Sequence, residues 1–345
     1  MMQVNKVHQI EVLEGLKELP DNSIDCIVTS PPYWNLRDYN VKDQIGLEKD
    51  PEDFVNKIVE IMKECKRVIK PTGTIWLNLG DSYFKSNSNN CKSNWLQQKQ
   101  RLLIPFRIAI KCQNELGLIL RNDITWVKQL WNCKTKESFG SSMPTGVKDR
   151  LNTTSESLFF FVKSNKYYFN LDNIRIPYRD KKITNSQGKN PGDCIMFPLE
   201  PSREKHIAMF PKTLPEFCIK AGCPKQICKK CSTPKLIIKK SDSPYSFNIR
   251  VRDVKNGRIK SLDRKASLKE TKDYNEKNYV SKKEDQIILS CNCKAGFNSG
   301  IVLDPFMGSG TTAIVAKKLG MNFIGFDLNK NYIKIANRRI SQIGN

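Results

Sequence analysis

Long apolar runs, acidic residues and internal repeats are all scarce in this sequence, and each scarcity excludes something. The most apolar stretches, such as Ser157-Leu-Phe-Phe-Phe-Val162, fall far short of the roughly 20 residues that a membrane-crossing helix requires. The first residues, Met1-Met-Gln-Val-Asn-Lys-Val-His8, lack the apolar core of a secretory leader. Membrane and secreted classes are therefore not expected. Acidic residues are in deficit: 35 Asp and Glu face 58 Lys and Arg, a formal net charge of +23. Such an excess attracts a polyanion, and nucleic acid is the commonest one a basic protein meets. No repeat argues for a solenoid. At 39% hydrophobic and 27% charged residues the composition is globular, and 345 residues suffice for one large core or two ordinary ones.

Cysteine is plentiful. There are twelve, and without a leader they argue against a disulfide framework. Cys26, Cys65, Cys91, Cys112, Cys133, Cys194 and Cys218 are scattered singly and read as small apolar residues. The last five cluster between Cys223 and Cys293.

The chain alternates between strand and helix patterns. Residues 23–29 form a β-branched strand signal that runs into Ser30-Pro-Pro. Asp50 before Pro51 marks a helix start, with Asp50 as N-cap and the proline in the first turn. Apolar residues recur from there at helical spacing as far as Lys70. Pro71-Thr-Gly73 breaks that helix, and residues 74–79 predict the next strand. Residues 84–100 are polar and read as a surface loop, as do residues 140–146. Further strands are predicted at 123–128 and 157–163, and a helix at 210–220. Residues 300–304 predict a strand, residues 311–319 a helix, residues 322–327 a strand, and residues 330–340 an amphipathic helix. This βαβ rhythm predicts an α/β fold with a mostly parallel twisted sheet.

Ile301-Val-Leu-Asp-Pro-Phe-Met-Gly-Ser-Gly-Thr-Thr312 places an acid and a Gly-x-Gly turn between a strand and a helix. Backbone can approach a nucleotide closely at such a strand end. No lysine follows Gly310, so the turn is not a phosphate loop. A second acid, Asp327, closes the next strand about 20 residues on, where a carboxylate can receive the hydroxyls of a ribose. A plain tight turn with a strand-end acid is the bland alternative. Near the other end of the chain, Ile27-Val-Thr-Ser-Pro-Pro-Tyr-Trp34 couples a rigid turn to aromatic rings. Its chemistry suits a planar base: Tyr33 can stack on a face, while Ser30 Oγ and the Pro31 carbonyl accept from an exocyclic amine. A rigid turn beneath core aromatics is the competing reading.

Together, Val28-Thr-Ser-Pro-Pro-Tyr33 and Asp304-Pro-Phe-Met-Gly-Ser-Gly-Thr-Thr312 resemble the amino-group DNA methyltransferases that use S-adenosylmethionine. The catalytic motif precedes the cofactor motif, which is the order of the β class. The resemblance extends to Trp34-Asn-Leu-Arg-Asp-Tyr39, Leu77-Asn-Leu-Gly-Asp-Ser82, Trp126-Val-Lys128 and His206-Ile-Ala-Met-Phe-Pro-Lys212. It implies a Rossmann-like methyltransferase fold, with Ser30, Pro31, Pro32 and Tyr33 catalytic. It implies cofactor contacts from Asp304, Pro305, Phe306, Gly308, Ser309, Gly310, Thr311 and Asp327, and from Phe210 and Lys212 in the segment that holds the methionine end. Relatives with serine at the head of the catalytic motif are mostly similar to cytosine-N4 enzymes, whereas aspartate or asparagine is typical of adenine-N6 enzymes. Hydrogen-bond chemistry alone leaves that choice open, since all three side chains accept from either amine.

The implied organisation is a catalytic half at 1–164, a target-recognition region at 165–205, a cofactor-side helix at 206–222, a basic insertion at 223–295, and a cofactor half at 296–345. The resemblance implies double-stranded DNA as the partner and a cytoplasmic protein that is prokaryotic or phage-encoded; it leaves open a cognate restriction endonuclease as a separate protein. Cys228-x-x-Cys231 and Cys291-x-Cys293 form two close pairs that could hold a structural Zn²⁺. The 59 residues between the pairs make this less specific than a compact finger, although some relatives carry a similar paired-cysteine insertion. Residues 223–290 hold eighteen Lys and Arg against eight acids, a stretch that could clamp phosphates or be a solvated loop. RNA or protein methylation would keep the cofactor loop. A non-catalytic nucleic-acid binding protein would explain the charge and leave both loops without a purpose.

Overall fold

The computed structural model describes residues 2–39, 41–84, 95–142, 145–178, 188–198, 210–239 and 286–343. In chain order the elements begin with β1 (Lys6–Gln9), α1 (Val12–Lys17), β2 (Ile24–Thr29), α2 (Pro51–Val68), β3 (Ile69–Leu79) and α3 (Ile104–Asn114). The middle of the chain gives β4 (Ile119–Val127), β5 (Gln129–Asn132), β6 (Glu137–Gly140), β7 (Ser155–Val162), β8 (Cys194–Met196) and α4 (Thr213–Gly222). The remainder gives β9 (Ile227–Cys228), β10 (Leu236–Lys239), β11 (Gln286–Leu289), β12 (Phe297–Asn298), β13 (Ile301–Asp304), α5 (Thr311–Lys318), β14 (Asn322–Asp327) and α6 (Lys330–Ser341).

Eight strands form one sheet in the order β1-β14-β13-β2-β3-β7-β4-β8. All neighbours pair parallel except β7, which is antiparallel to both β3 and β4. Reversal of that single strand matters for the site. It brings the amino end of β7 to the edge where the other strands have their carboxyl ends.

Side chains along the central strands alternate between two apolar layers, as the pleat requires. Ile75, Leu77 and Leu79 of β3 and Phe159 and Phe161 of β7 pack with α1, α2 and α3. Trp76, Leu158, Phe160 and Val162 face the other way, toward α4, α5 and α6. Trp76 and Phe160 stack there with centroids 4.2 Å apart. A sheet covered on both faces explains why β2 is buried along its whole length.

Asp50 caps α2 by accepting from the Glu52 amide at 2.9 Å, and Pro51 opens the helix as the sequence predicts. The helix ends at Val68, just short of the expected Lys70, and β3 begins at once at Ile69 and runs through Pro71 and Gly73, ahead of the strand start expected at Thr74. A register shift against β2 between Ile24 and Cys26 lets the strand carry a residue with no amide hydrogen. Cys26, Cys65, Cys112 and Cys218 are buried among apolar neighbours, whereas Cys133 and Cys194 are exposed. Two compact units are distinguished. The first contains Met1–Ile174, Pro191–Leu236 and Ser290–Asn345; the second contains Arg175–Asn190 and Ile237–Leu289. Cys194–Met196, within the expected recognition region, is an edge strand of the main sheet. The basic stretch between the cysteine pairs lies largely outside the described residues. Among the described residues, no helix is long and apolar enough to cross a membrane.

Candidate active site

β2 ends at Thr29 and passes directly into Ser30-Pro-Pro-Tyr33, while its neighbour β13 ends at Asp304 and passes into the Gly-x-Gly turn. β14 ends beside them at Asp327. These strand ends wall a cavity of about 410 Å³. Ser30, Pro31, Pro32 and Tyr33 line one part of it, and Pro305, Phe306, Gly308, Ser309, Thr311, Asp327 and Phe210 line another. Two motifs separated by some 270 residues of sequence thus face a single space.

Of the residues expected to meet a cofactor, Asp304, Gly310 and Lys212 are not among those lining the cavity. Asp304 is fully buried. Its carboxylate accepts from Thr29 Oγ1 at 2.8 Å, Thr312 Oγ1 at 2.6 Å and the Phe306 amide at 3.1 Å. One side chain therefore joins the end of β2 to the start of α5 and fixes the spacing of the two loops. Gly310 has φ +84°, and a Cβ there would lie 2.9 Å from the Ala336 Cβ, so this glycine lets α6 pack against the turn. Lys212 precedes α4. Residues 206–209 of its segment, including His206, lie outside the described residues.

Burial pushes the Asp304 carboxyl up to about 6, against the lowering effect of its hydroxyl and amide donors. A raised folded-state value means that the native protein holds this proton more tightly than the unfolded chain. The associated stability is complete below about pH 4 and is lost as pH rises to about 6. Asp304→Asn keeps an acceptor and removes the titration. The Tm advantage of the wild type over this variant should shrink between pH 4 and 6 and then level off. A Tm difference that stays constant from pH 4 to 7.5 would refute this.

Asp327 is held by the amides of Gly308 at 2.8 Å and Asn329 at 2.7 Å. Burial raises its carboxyl above the ordinary range. Arg339 Nη1 donates to both the carbonyl and the hydroxyl of Ser309 at 2.7 Å, tying the Gly-x-Gly turn to α6. Tyr39 and Tyr332 meet edge to face at 6.3 Å on the same cavity.

Polar groups cluster around Tyr33. Its hydroxyl donates to Glu156 Oε2 at 2.6 Å, and its ring packs so closely on Gly80 that a Cβ there would come within 2.5 Å of Cε2. Burial first, and then the Glu156 carboxylate, hold the Tyr33 phenol well above its ordinary value, so it stays a donor. Asn78 Nδ2 lies 2.8 Å from Tyr33 Oη, 2.9 Å from Glu156 Oε2 and 3.3 Å from Ser30 Oγ. Lys128 Nζ pairs with Glu156 Oε1 and sits over the Trp126 ring. Asn78, Trp126, Lys128 and Glu156 all line the cavity. In sequence the first three lie in segments similar to the family, with nothing that marks a role, and the one signal of Glu156 is a lone acid at the head of an apolar strand.

Separately, Cys228, Cys231, Cys291 and Cys293 bring four sulfur atoms within 4.8 Å of one another. The short antiparallel pairing of β9 with β12 draws the two pairs together, and the residues after them, Ser232 and Lys294, adopt left-handed backbone. A Zn²⁺ with four thiolates at about 2.3 Å needs sulfurs about 3.8 Å apart, a spacing that the 4.8 Å bound on this cluster accommodates. Cys223 is buried and stands outside this cluster.

The chain is similar to proteins of one kind. M.SfiI, a type II methyltransferase of Streptomyces fimbriatus, is 42% identical over 171 residues, which cover 48% of this chain and 38% of that protein. M.SmaI of Serratia marcescens, also a type II methyltransferase, is 28% identical over 343 residues, covering 95% of this chain and 87% of that protein. Among solved structures, the PvuII DNA methyltransferase (cytosine-N4-specific) superposes with a TM-score of 0.56 at 16% identity, covering 97% of this chain and 87% of that one. The fold is shared with that enzyme. A profile described as DNA methylase matches residues 24–227 and 236–338, and with both motif loops inside those bounds the chain belongs to this N6/N4 DNA methylase family.

Proposed function

We propose that the protein is an S-adenosylmethionine-dependent DNA methyltransferase that modifies the exocyclic N4 amine of cytosine in duplex DNA. The observation that carries this reading is the convergence of Ser30-Pro-Pro-Tyr33 and the Pro305–Thr311 turn on one cavity. Phe306, Pro305 and Phe210 offer apolar walls, and Asp327 offers a carboxylate braced by two backbone amides. These groups fit an adenosine with an amino-acid tail, and 410 Å³ falls within the range of small-molecule sites. When bound, S-adenosylmethionine supplies an electrophilic methyl group.

The chain's own residues do the rest. A cytosine extruded from the duplex, at a cost of a few kcal/mol, would enter beside Tyr33, whose ring is held by Gly80 and Glu156. Ser30 Oγ and the Pro31 carbonyl accept from the amine, and so favour a pyramidal nitrogen and stabilise the charge that develops on it. The asparagine, tyrosine and glutamate around Ser30 keep these acceptors in place, and alignment removes much of the remaining barrier. Beside the cavity, the β5–β6 hairpin starts one residue after Lys128 and carries exposed Leu130, Trp131 and Phe139 with Lys134 and Lys136. Apolar and cationic side chains together suit contact with unstacked bases and phosphates. The segment 165–205, expected to read the target, lies partly outside the described residues.

Serine at the motif head, where the family resemblance associates it with cytosine, supports the N4 assignment. A type II endonuclease with the same target sequence is the implied working partner. Four thiolates at the Cys228–Cys293 cluster suit a structural Zn²⁺. The reading is tested by incubating the protein with methyl-labelled S-adenosylmethionine and unmethylated duplex DNA, then separating the nucleosides. Label in N4-methylcytosine is expected. Label in N6-methyladenine overturns the base assignment and keeps the mechanism; label absent from DNA of varied sequence overturns the reading.

A further inference from the structure

Two buried side-chain oxygens among the described residues accept no hydrogen bond, Glu48 Oε1 and Asn78 Oδ1. The first faces the Lys57 ammonium at 3.1 Å. The second has no such counterpart, although Asn78 is only 1% exposed and lines the cavity. Its orientation is fixed by chemistry. Turning the amide would set the carbonyl oxygen against Glu156 Oε2, now 2.9 Å from Nδ2, and two acceptors would face each other. Glu156 is itself held by Lys128 and by the Tyr33 hydroxyl. Glu156 thus commits the NH₂ end of Asn78 to the cluster and leaves the C=O end for a donor that enters the cavity.

Resting on the function proposed above, we infer that Asn78 Oδ1 is a further acceptor for the amine undergoing methylation, and that Glu156 is the positioning residue that keeps it turned toward the base. The amine has two N–H bonds. One is received by the Ser30–Pro31 pair and the other by Asn78, so both remain bonded while the nitrogen lone pair forms the new N–C bond and the S–C electrons leave with sulfur. One proton then passes from the methylated nitrogen to water. A buried acceptor at this point also discriminates between bases, because it matches an amino group and repels the O4 of thymine.

The test compares Asn78→Ala, Asn78→Asp and Glu156→Gln with the wild type in steady-state methylation of unmethylated DNA. S-adenosylhomocysteine binding, measured calorimetrically, serves as the control for a folded pocket. Asn78→Ala should lower kcat about 100-fold, with cofactor affinity within about threefold. Glu156→Gln places an amide hydrogen against either Lys128 or the Tyr33–Asn78 donors, so kcat should fall by about 10- to 100-fold through misplacement while that affinity holds. Asn78→Asp sets a second carboxylate beside Glu156, with Tyr33 and Lys128 as the other titratable groups facing the pair. Its activity should survive where the two share a proton and disappear as pH rises, a profile that a merely structural side chain would not create. If the wild type methylates DNA and Asn78→Ala retains its kcat, or Asn78→Asp follows the wild-type pH profile, this inference fails alone. If the wild type methylates no DNA, both readings fail.

Discussion

Ser30→Ala is expected to reduce kcat for methyl transfer by about 100-fold or more, on the scale of removing one preorganised hydrogen-bonding group from a buried reaction centre. S-adenosylhomocysteine affinity and duplex binding should remain within about threefold of the wild type, since the serine hydroxyl is a small part of either surface. Two losses combine in this variant. The incoming amine loses an acceptor, and the Asn78 amide, 3.3 Å away, loses one of the groups that hold it. The Tyr33–Glu156 hydrogen bond does not pass through Ser30 and should persist. Measured by single-turnover kinetics with labelled cofactor, an unchanged chemical step would remove Ser30 from the reaction. A loss confined to KM for DNA would make it a binding residue.

What could be read from sequence follows from how local each determinant is. Asp50 and Pro51 announce α2 within two residues, and a run of apolar side chains at helical spacing confirms it. Helix α3 announces itself weakly: Leu103 stands at its cap in left-handed conformation with no side-chain hydrogen bond, so Pro105 in the first turn is the one local start signal. Strand β1 buries only Val7 of its four residues, so no alternation marks it. The two motif loops were legible because their backbone is dictated by proline and glycine within the loops themselves. Glu156, Asn78 and Lys128 were not, since nothing near any of them in sequence shows that β7 runs against its neighbours and brings the three together. Asp304 shows the converse. Its place in a cofactor motif suggested a ligand contact, whereas its three hydrogen bonds make it the fastener between that motif and the catalytic strand.

The cysteine cluster carries the other large expected effect. Protein purified without chelator should contain one zinc per chain, and Cys291→Ser should remove it. The pairing of β9 with β12 spans two residues on each side, too little to persist against the entropy of the intervening chain. The loop between Cys231 and Cys291 has 59 residues, and closing a loop of that length costs about 4 kcal/mol of chain entropy in the cross-link estimate. A metal that closes it should stabilise the protein by a comparable amount, so loss of the ion should lower the unfolding midpoint of this 345-residue chain by about 5 °C. The anchoring points favour transmission to the sheet: Cys223 and Pro224 follow α4, and the Pro224 carbonyl accepts from the Gly300 amide just before β13. Amide exchange should therefore quicken first at Ile227–Cys228 and Phe297–Asn298 and then spread toward the start of β13. Elemental analysis, thermal unfolding and exchange by mass spectrometry decide the matter together. Substoichiometric zinc, with a midpoint unmoved by Cys291→Ser, would reduce the four sulfurs to a reduced-thiol cluster with no metal role.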